Sequence, residues 1–573
     1  MPARSPLLLA SLRGYRRPWL TADLLAGMSV WAVLVPESLA YATIAGVPPV
    51  VGLYAAVPAL VLYAVLGSSR HLVVATMSAT AALSASVVAV YARPGSGDYV
   101  AITAMLAIVT GVLGVVAGLC RLGFLATFIS EPVLRGFIVG LALTIIAGQL
   151  PALFGVPKEA GDFFEQMAGL LRQLAHSNAA TLGVGLVSLA VVLGCRLWLP
   201  RLPGSLIAVL LGVAAVPLLD LVDRGVAIVG PIQAGLPTLG IPSGHGLADY
   251  LGLVSAAAGI LLLGFVEGLG PAKAYAAREG LEIDANRELI GVGAANIGAG
   301  ITAGMVVNGT LAKTAVNVNA GAKSQVSGLT AASLTIITLL FLTGLFENLP
   351  EATLAAIVIA AVIELVNIPA LVRLYRVWTG HLGRIYGWAA RADFIAALAA
   401  LLGVLVFDTL PGLFIGIVVS ILLLLYRASR PQVATLASTA TTDGRDHIWV
   451  DAARHPDLPV RDDVLVVRVE SGLFFANADN VRTAIRDRIT PTTTAVVLDA
   501  STTPAIDVSA TEMLAQLAGD LRRDGIALLI AHGIGQVRDV LRRAGAEQDV
   551  LQALYDTVDE AVAAAPPERV PGT

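Results

Sequence analysis

Charge is scarce in this chain. Of 573 residues only 14 % are Asp, Glu, Lys or Arg, where an ordinary soluble domain carries roughly 25 %, so most positions are not made to face water. Lysine is scarcer still, confined to Lys158, Lys273, Lys313 and Lys323. Two cysteines, Cys120 and Cys195, are too few for a disulfide framework and are expected to be small buried thiols at the edges of apolar segments. No His, Cys or acidic residues fall at metal-ligand spacing, and there is neither a P-loop nor a nucleophile constellation, which removes metal, cofactor and enzyme readings. A net charge of −4 and a pI near 6.0, with no basic stripe beyond the loops, remove nucleic acid as a partner. Residues Met1 to Arg17 mix Arg and Pro without the small-residue cleavage site of a signal peptide, so no cleaved leader is expected.

What abounds is apolar sequence: 56 % of residues are hydrophobic and the mean hydropathy is +0.80. From about Asp23 to Arg427 the chain is a succession of stretches of roughly twenty apolar residues, the length that crosses a bilayer's hydrocarbon core. A polar, charge-mixed tail follows from about Pro431. Hydropathy and Gly/Pro punctuation place spans near 23–43, 50–67, 72–91, 99–119, 124–148, 179–197, 204–222, 250–272, 287–305, 311–322, 326–346, 351–367, 391–408 and 411–428, fourteen in all. With the N-terminus inside, the outer loops carry only Arg93, Lys158, Arg172 and Arg224, and the inner loops hold the positive excess typical of a cytoplasmic side. An even count leaves the tail cytoplasmic as well. The expected organisation is a cytoplasmic segment 1–22, a membrane domain 23–428, a linker 429–445, a small α/β domain 446–565 and a disordered end 566–573.

Two spans are interrupted. The third opens with a β-branched, strand-like run, Leu72-Val-Val-Ala-Thr-Met-Ser-Ala-Thr80, before turning helical. The tenth follows Gly304-Met-Val-Val-Asn-Gly-Thr310 and is too polar and short to cross alone. Broken helices in corresponding places of two halves point to a midplane binding site, and their exposed N-terminal amides favour an anion. Glu37 in the first span and Glu267 in the eighth stand at nearly the same offset as the two broken segments, so spans one to seven and eight to fourteen read as an inverted repeat. An ionisable residue at membrane depth is a functional candidate. Lys313, at the start of the tenth span, would add its charge to the helix-end dipole and hold an anion, or serve as a structural partner of Glu267, two roles that do not exclude each other. Glu131 and Arg135, four apart, are expected to form a local ion pair.

In Pro36-Glu-Ser-Leu-Ala-Tyr-Ala42, Gly46-Val-Pro-Pro-Val-Val-Gly-Leu-Tyr54, Gly264-Phe-Val-Glu267 with Ala272-Lys-Ala274, Asn286-Arg-Glu-Leu-Ile290 with Ala295-Asn296, and Thr314-Ala-Val-Asn-Val-Asn-Ala-Gly-Ala-Lys323, the chain resembles the sulfate permease (SulP) family of anion transporters, which includes prestin and pendrin. The resemblance implies an all-α membrane domain of fourteen segments in a 7+7 inverted repeat like that of the uracil permeases. Segments one to four and eight to eleven would form a mobile core, and the others a gate. It also implies a homodimer. It places the anion on Glu37, Tyr41, Thr76, Met77, Ser78, Leu311, Ala312 and Lys313. Three departures stand out. Met77 replaces the aromatic residue of many members. Ala312-Lys313 replaces Ser-Arg, keeping the charge but losing a hydroxyl and the guanidinium fork. Pro271 stands where sodium-coupled bicarbonate members have a hydroxyl, which favours the proton as coupling ion, with Glu267 as its carrier.

The tail alternates strand and helix: Asp463–Val469, Ala495–Asp499 and Gly525–Ala531 read as strands, Val508–Asp524 and Gln536–Ala544 as helices. In Ser471-Gly-Leu-Phe-Phe-Ala-Asn-Ala478, Asp499-Ala-Ser501 and Ile506-Asp-Val-Ser-Ala510 it resembles the cytoplasmic STAS domain that ends many sulfate permeases, where it would dock a protein partner. Val508 stands where related anti-sigma-factor antagonists have a phosphorylatable serine, so no such switch is expected. Ser509 reads as a helix cap beside Asp507. The function expected is secondary active, proton-coupled uptake of sulfate across the plasma (inner) membrane by an elevator-like motion. Bicarbonate, dicarboxylate or chloride remain alternative substrates, and a nucleobase permease or a membrane-anchored regulator are rival readings.

Overall fold

The computed structural model describes residue 9 and residues 14–567, apart from 125–129, 160, 200–201, 232–233, 243, 245, 378–382, 384–386, 408, 441–446, 534 and 544–553. The chain divides into two units, residues 1–375 with 393–419, and residues 376–392 with 420–573.

In the first unit the expected spans appear in order. They are α1 (Trp19–Ile44), α2 (Val50–Leu66), strand β1 (Val73–Ala75) with α3 (Ser78–Val88), α4 (Gly97–Leu119), α5 (Glu131–Phe154), then an amphipathic α6 (Phe163–Gln173), α7 (Ala179–Trp198) and α8 (Gly204–Leu218). After a short α9 (Leu247–Gly252), the second half runs α10 (Val254–Arg278), α11 (Ala285–Ile301), strand β2 (Asn308–Thr310) with α12 (Leu311–Asn319), α13 (Val326–Ile337, continued as irregular helix to Phe346), α14 (Glu351–Val362), an amphipathic α15 (Ile368–Arg376), α16 (Ala392–Phe407) and α17 (Thr409–Ser429). Eight of these helices are long and apolar enough to cross a membrane, and α2, α3, α8 and α14 are shorter apolar ones. The membrane domain is thus all-α apart from β1 and β2, with fourteen segments in two inverted sets of seven.

The helices form two packed groups that meet where α1 lies against α14 and α8, and α3 against α5. Helices α1 to α4 pack with α10 to α13, while α14 packs against α5, α7 and α8, and Gly136 of α5 lies on the backbone of Ala397 in α16. Close approach needs small residues: a Cβ on Gly111 of α4 would meet the Gly293 carbonyl of α11 at 2.5 Å, and one on Gly293 would meet the Gly111 carbonyl at 2.7 Å. Two buried carboxylates fasten the loops of the first group. Asp23 of α1 accepts from the Lys323 and Ser324 amides and from the Ser324 hydroxyl. Glu288 of α11 accepts from the Tyr63 hydroxyl at 2.6 Å and from Ser68 and Ser69. Each carboxylate takes several donors, the condition under which burying its charge is tolerable. The expected Glu131–Arg135 pair forms at 2.5 Å. Cys120 and Cys195 are both free, but neither is buried as expected: Cys120 is exposed, because it follows the last turn of α4, and Cys195 is half-buried.

The second unit contains a six-stranded sheet in the order β4 (His447–Asp451), β3 (Val433–Ala440), β5 (Val464–Val469), β6 (Ala495–Asp499), β7 (Ala527–Ala531), β8 (Leu554–Tyr555). Strands β5 to β8 are parallel, with β3 antiparallel to both β4 and β5. Helices α18 (Ala478–Arg486), α19 (Val508–Arg523) and α20 (Gly535–Arg543) accompany it, and α21 (Val558–Ala563) closes it. Val467, Val469, Val481, Ile485, Val496, Leu517 and Leu521 form one core. Two expectations need correction. The stretch 429–445 is not merely a linker: Val433–Ala440 is a strand, because its register puts Val433 and Leu436 into buried positions while its backbone pairs with β5 on one side and β4 on the other. Residues 441–445 and 568–573, expected as linker and disordered tail, lie outside the described residues. The cap of α19 is Asp507, which accepts from the Ala510 amide at 2.8 Å; Ser509 is exposed in the first turn.

Candidate functional site

The two interrupted segments are joined by their strands. β1 and β2 pair antiparallel in the register Val73 to Thr310, Val74 to Gly309 and Ala75 to Asn308. All six residues are buried. Antiparallel pairing is what an inverted repeat requires, because the two equivalent segments enter the bundle from opposite sides. The pairing also gives partners to backbone groups that helical geometry leaves open at membrane depth. β2 crosses α10 closely: a Cβ on Gly264 would meet the Asn308 side-chain amide at 2.8 Å, and one on Gly268 would meet the Gly309 Cα at 3.3 Å. Asn308 donates to the Gly264 carbonyl there.

Beyond the strands the two half-helices begin, α3 after extended Met77 and α12 after extended Thr310. Neither N-terminus has a side-chain cap. Their first-turn amides and dipole ends therefore remain available to a negatively charged group. Around them lie the residues expected from the sequence. Lys313 is 1 % exposed. Its ammonium sits 2.6 Å from Glu37 Oε2, donates to the Thr76 carbonyl at 3.1 Å and lies 4.9 Å from the centre of the Tyr41 ring. Thr76 donates to Ser38 Oγ at 2.9 Å. Met77 and Ser78 are nearly buried, and the Asn308 amide approaches Met77 Sδ at 3.6 Å. Leu311 is 58 % exposed, so the α12 tip is open on that side.

Of the two roles left open for Lys313, pairing with Glu267 is not what the structure shows: its carboxylate partner is Glu37. Glu267 lies between Gly264 and Gly268, on the stretch of α10 that β2 crosses, and its Oε2 is buried with no hydrogen-bond partner among the described residues. Asn308 Oδ1, on the crossing strand, is likewise buried and unpartnered. Glu267 is therefore separate from the Lys313 cluster in its bonding.

Sequence reasoning missed the residues that hold the tips in place. Thr314 accepts from the Val73 amide at 3.0 Å and donates to the Thr310 carbonyl at 2.6 Å, stitching β1 to α12. Asn317 donates to the His71 carbonyl at 2.9 Å, and Gln325 to the Ser69 and Leu72 carbonyls. His71 Nε2 meets Glu279 Oε2 at 3.1 Å. The available signal was polarity: Asn308, Asn317 and Gln325 are amides in otherwise apolar sequence, where each must find a buried partner.

Comparison with known proteins places this geometry among relatives. The family model described as "Sulfate permease family" matches residues 20–382, and that of the STAS domain matches residues 455–561. The chain is 35 % identical over 541 residues to "Probable sulfate transporter Rv1739c" of Mycobacterium tuberculosis, covering 94 % of this chain and 93 % of that protein. It is 28 % identical to "Probable sulfate transporter 3.4" of Arabidopsis thaliana, over 95 % and 85 % of the two chains. Among solved structures, that of the murine Slc26a9 anion transporter in the inward-facing state superimposes with a TM-score of 0.86 at 23 % identity, over 97 % and 93 % of the two chains. The transmembrane domain of the cyanobacterial bicarbonate transporter BicA does so with a TM-score of 0.58 at 20 % identity, over 71 % and 98 %.

Proposed function

Because the chain belongs to the sulfate permease family of membrane transporters and carries a STAS domain, we propose that it takes up sulfate or a related small anion by secondary active transport coupled to protons. The observation that carries this reading is Lys313, a buried ammonium at the head of an uncapped half-helix that faces a second one across a strand pair. An ammonium and two sets of helix-end amides form a receptor for a negatively charged oxygen. Glu37 and Tyr41 wall it from α1, Thr76, Met77 and Ser78 from the start of α3, and Leu311 and Ala312 from α12.

In the absence of an anion, Glu37 neutralises Lys313. An entering anion competes for that ammonium, and proton uptake by a carboxylate keeps the loaded site from gathering excess negative charge. Glu267, isolated from cations, is the proton carrier in this reading, and protonation of Glu37 would free Lys313. Helices α1 to α4 and α10 to α13 would then move as an elevator against α5 to α8, α14, α16 and α17. The chain would sit in the plasma (inner) membrane as a homodimer, with its N-terminus and STAS domain cytoplasmic and the STAS domain open to a protein partner.

The resolving experiment is a panel of radiolabelled sulfate, bicarbonate, chloride and dicarboxylates in proteoliposomes, with imposed pH or sodium gradients. Sulfate accumulation driven by a pH gradient and indifferent to sodium is expected. Preference for another anion would move the substrate assignment, and absence of flux for every anion would overturn the reading.

A further inference from the structure

A second feature lies away from the Lys313 cluster. A cavity of about 690 Å³ opens among the C-terminal ends of α1, α3 and α16, the second half of α5 and the start of α6. In the orientation proposed above this is the extracellular face. Its wall contains one cation, Lys158, in the segment between α5 and α6. The ammonium folds back over α5, so that a Cβ on Gly148 would lie 3.3 Å from it. Among the described residues no carboxylate lies within ion-pair distance of Lys158, although two line the same cavity. Glu159 is turned away, accepting from the Gln173 amide at 2.8 Å. Asp162 is committed to the α6 N-terminus, where it accepts from the Glu165 amide in a capping box. Elsewhere in the wall the Thr43, Ser86 and Thr144 hydroxyls donate to carbonyls of their own helices and the Gln166 side chain donates to the Gly161 carbonyl, while Gln166 Oε1 is buried without a partner among the described residues.

The geometry points to an anion-receiving vestibule in which Lys158 pairs with the small anion before it reaches the buried site at Lys313. This inference rests on the transport reading above. Lys158 is exposed toward the cavity, and the protein atoms around its ammonium draw its pKa down only by partial desolvation, a loss that an arriving anion would offset. Lys158 is one of only four lysines in the chain, and it stands exposed over the cavity without a counter-charge among the described residues, open to a negatively charged solute.

The test uses the full chain with Cys120→Ser and Cys195→Ser, into which Lys158→Cys is introduced. External sulfate uptake should then show KM raised roughly three- to tenfold, the worth of one partly solvated charge pair, with kcat unchanged. Reaction from outside with a positively charged methanethiosulfonate should restore KM, and a negatively charged one should raise it further. External sulfate should also slow labelling of the cysteine by the negative reagent, read by mass spectrometry without any flux. Uptake whose KM ignores the substitution and both reagents, with no protection, overturns the vestibule while leaving transport standing. Protection without flux keeps the vestibule and sinks the transport reading; absence of both sinks both.

Discussion

Replacing Lys313 and Glu37 singly and together tests whether their pair is the heart of the site. The ammonium and carboxylate are 2.6 Å apart, with side chains 2 % and 10 % exposed. At an effective dielectric constant of ~20, attraction at that distance is about 6 kcal/mol, much of it offset by lost hydration. Lys313→Met leaves the Glu37 carboxylate buried beside Tyr41 without its cation, and Glu37→Gln leaves the ammonium without its anion. Either loss should cost about 3–5 kcal/mol. The double variant should recover most of this, since two neutral groups of similar size fill the same space without a stranded charge. Thermal unfolding midpoints of the purified full chain in detergent, measured for all four proteins, give the coupling. Sulfate binding to the folded fraction gives the function: Glu37→Gln should keep binding, and both Lys313→Met proteins should lose it. Additive single effects, or a double variant that binds sulfate as the wild type does, would refute the reasoning.

Glu267→Gln should abolish accumulation driven by an imposed pH gradient while leaving sulfate binding in place; undiminished gradient-driven uptake would remove Glu267 from coupling. Gly264→Ala should push β2 off α10, because its Cβ would meet the Asn308 amide at 2.8 Å. A loss of about 1–3 kcal/mol is expected, the usual cost of overpacking, together with most of the uptake; unchanged thermal stability and uptake would show that the contact yields freely. In the STAS domain, Arg461 bonds both oxygens of Asp463 and holds its carboxyl below the ordinary range. A depressed folded-state pKa contributes stability that is complete above the unfolded value, about 3.9, and is lost as pH falls through the folded value. The difference in unfolding midpoint between wild type and Asp463→Asn should therefore be present at neutral pH and close in stronger acid. Persistence of the full difference at pH near 2, on the order of the lowest carboxylate pKa values, would contradict this.

Much of this architecture is legible in the residues because lipid enforces it. A run of twenty apolar residues has one structural answer, so the spans and the two interruptions could be read directly. Glu37 and Lys313 were each recognisable as charges out of place, but their pairing was not, because it depends on how two segments nearly three hundred positions apart fold against each other. The same limit hid Thr314, Asn317 and Gln325, whose partners are carbonyls around β1. In the tail, β5, β6 and β7 announce themselves as short buried aliphatic runs. β3, Val433-Ala-Thr-Leu-Ala-Ser-Thr-Ala440, is built of small and polar residues and resembles a tether until its partners on either side are known.

The three-rung ladder between β1 and β2 has a consequence for selectivity. Hydrogen bonds between main chains button the two halves of the membrane domain together, so the gap between the two helix tips is fixed by the ladder and by the side chains that brace it, Thr314, Asn317 and Gln325, rather than by the residues that line its mouth. Exchanging residues at the tips can alter what the gap prefers to hold, through charge, polarity or the bulk at its lip. Its width should change only when the ladder or its braces do, which makes solute radius a property to be altered through Thr314, Asn317 or Gln325 rather than through the lip.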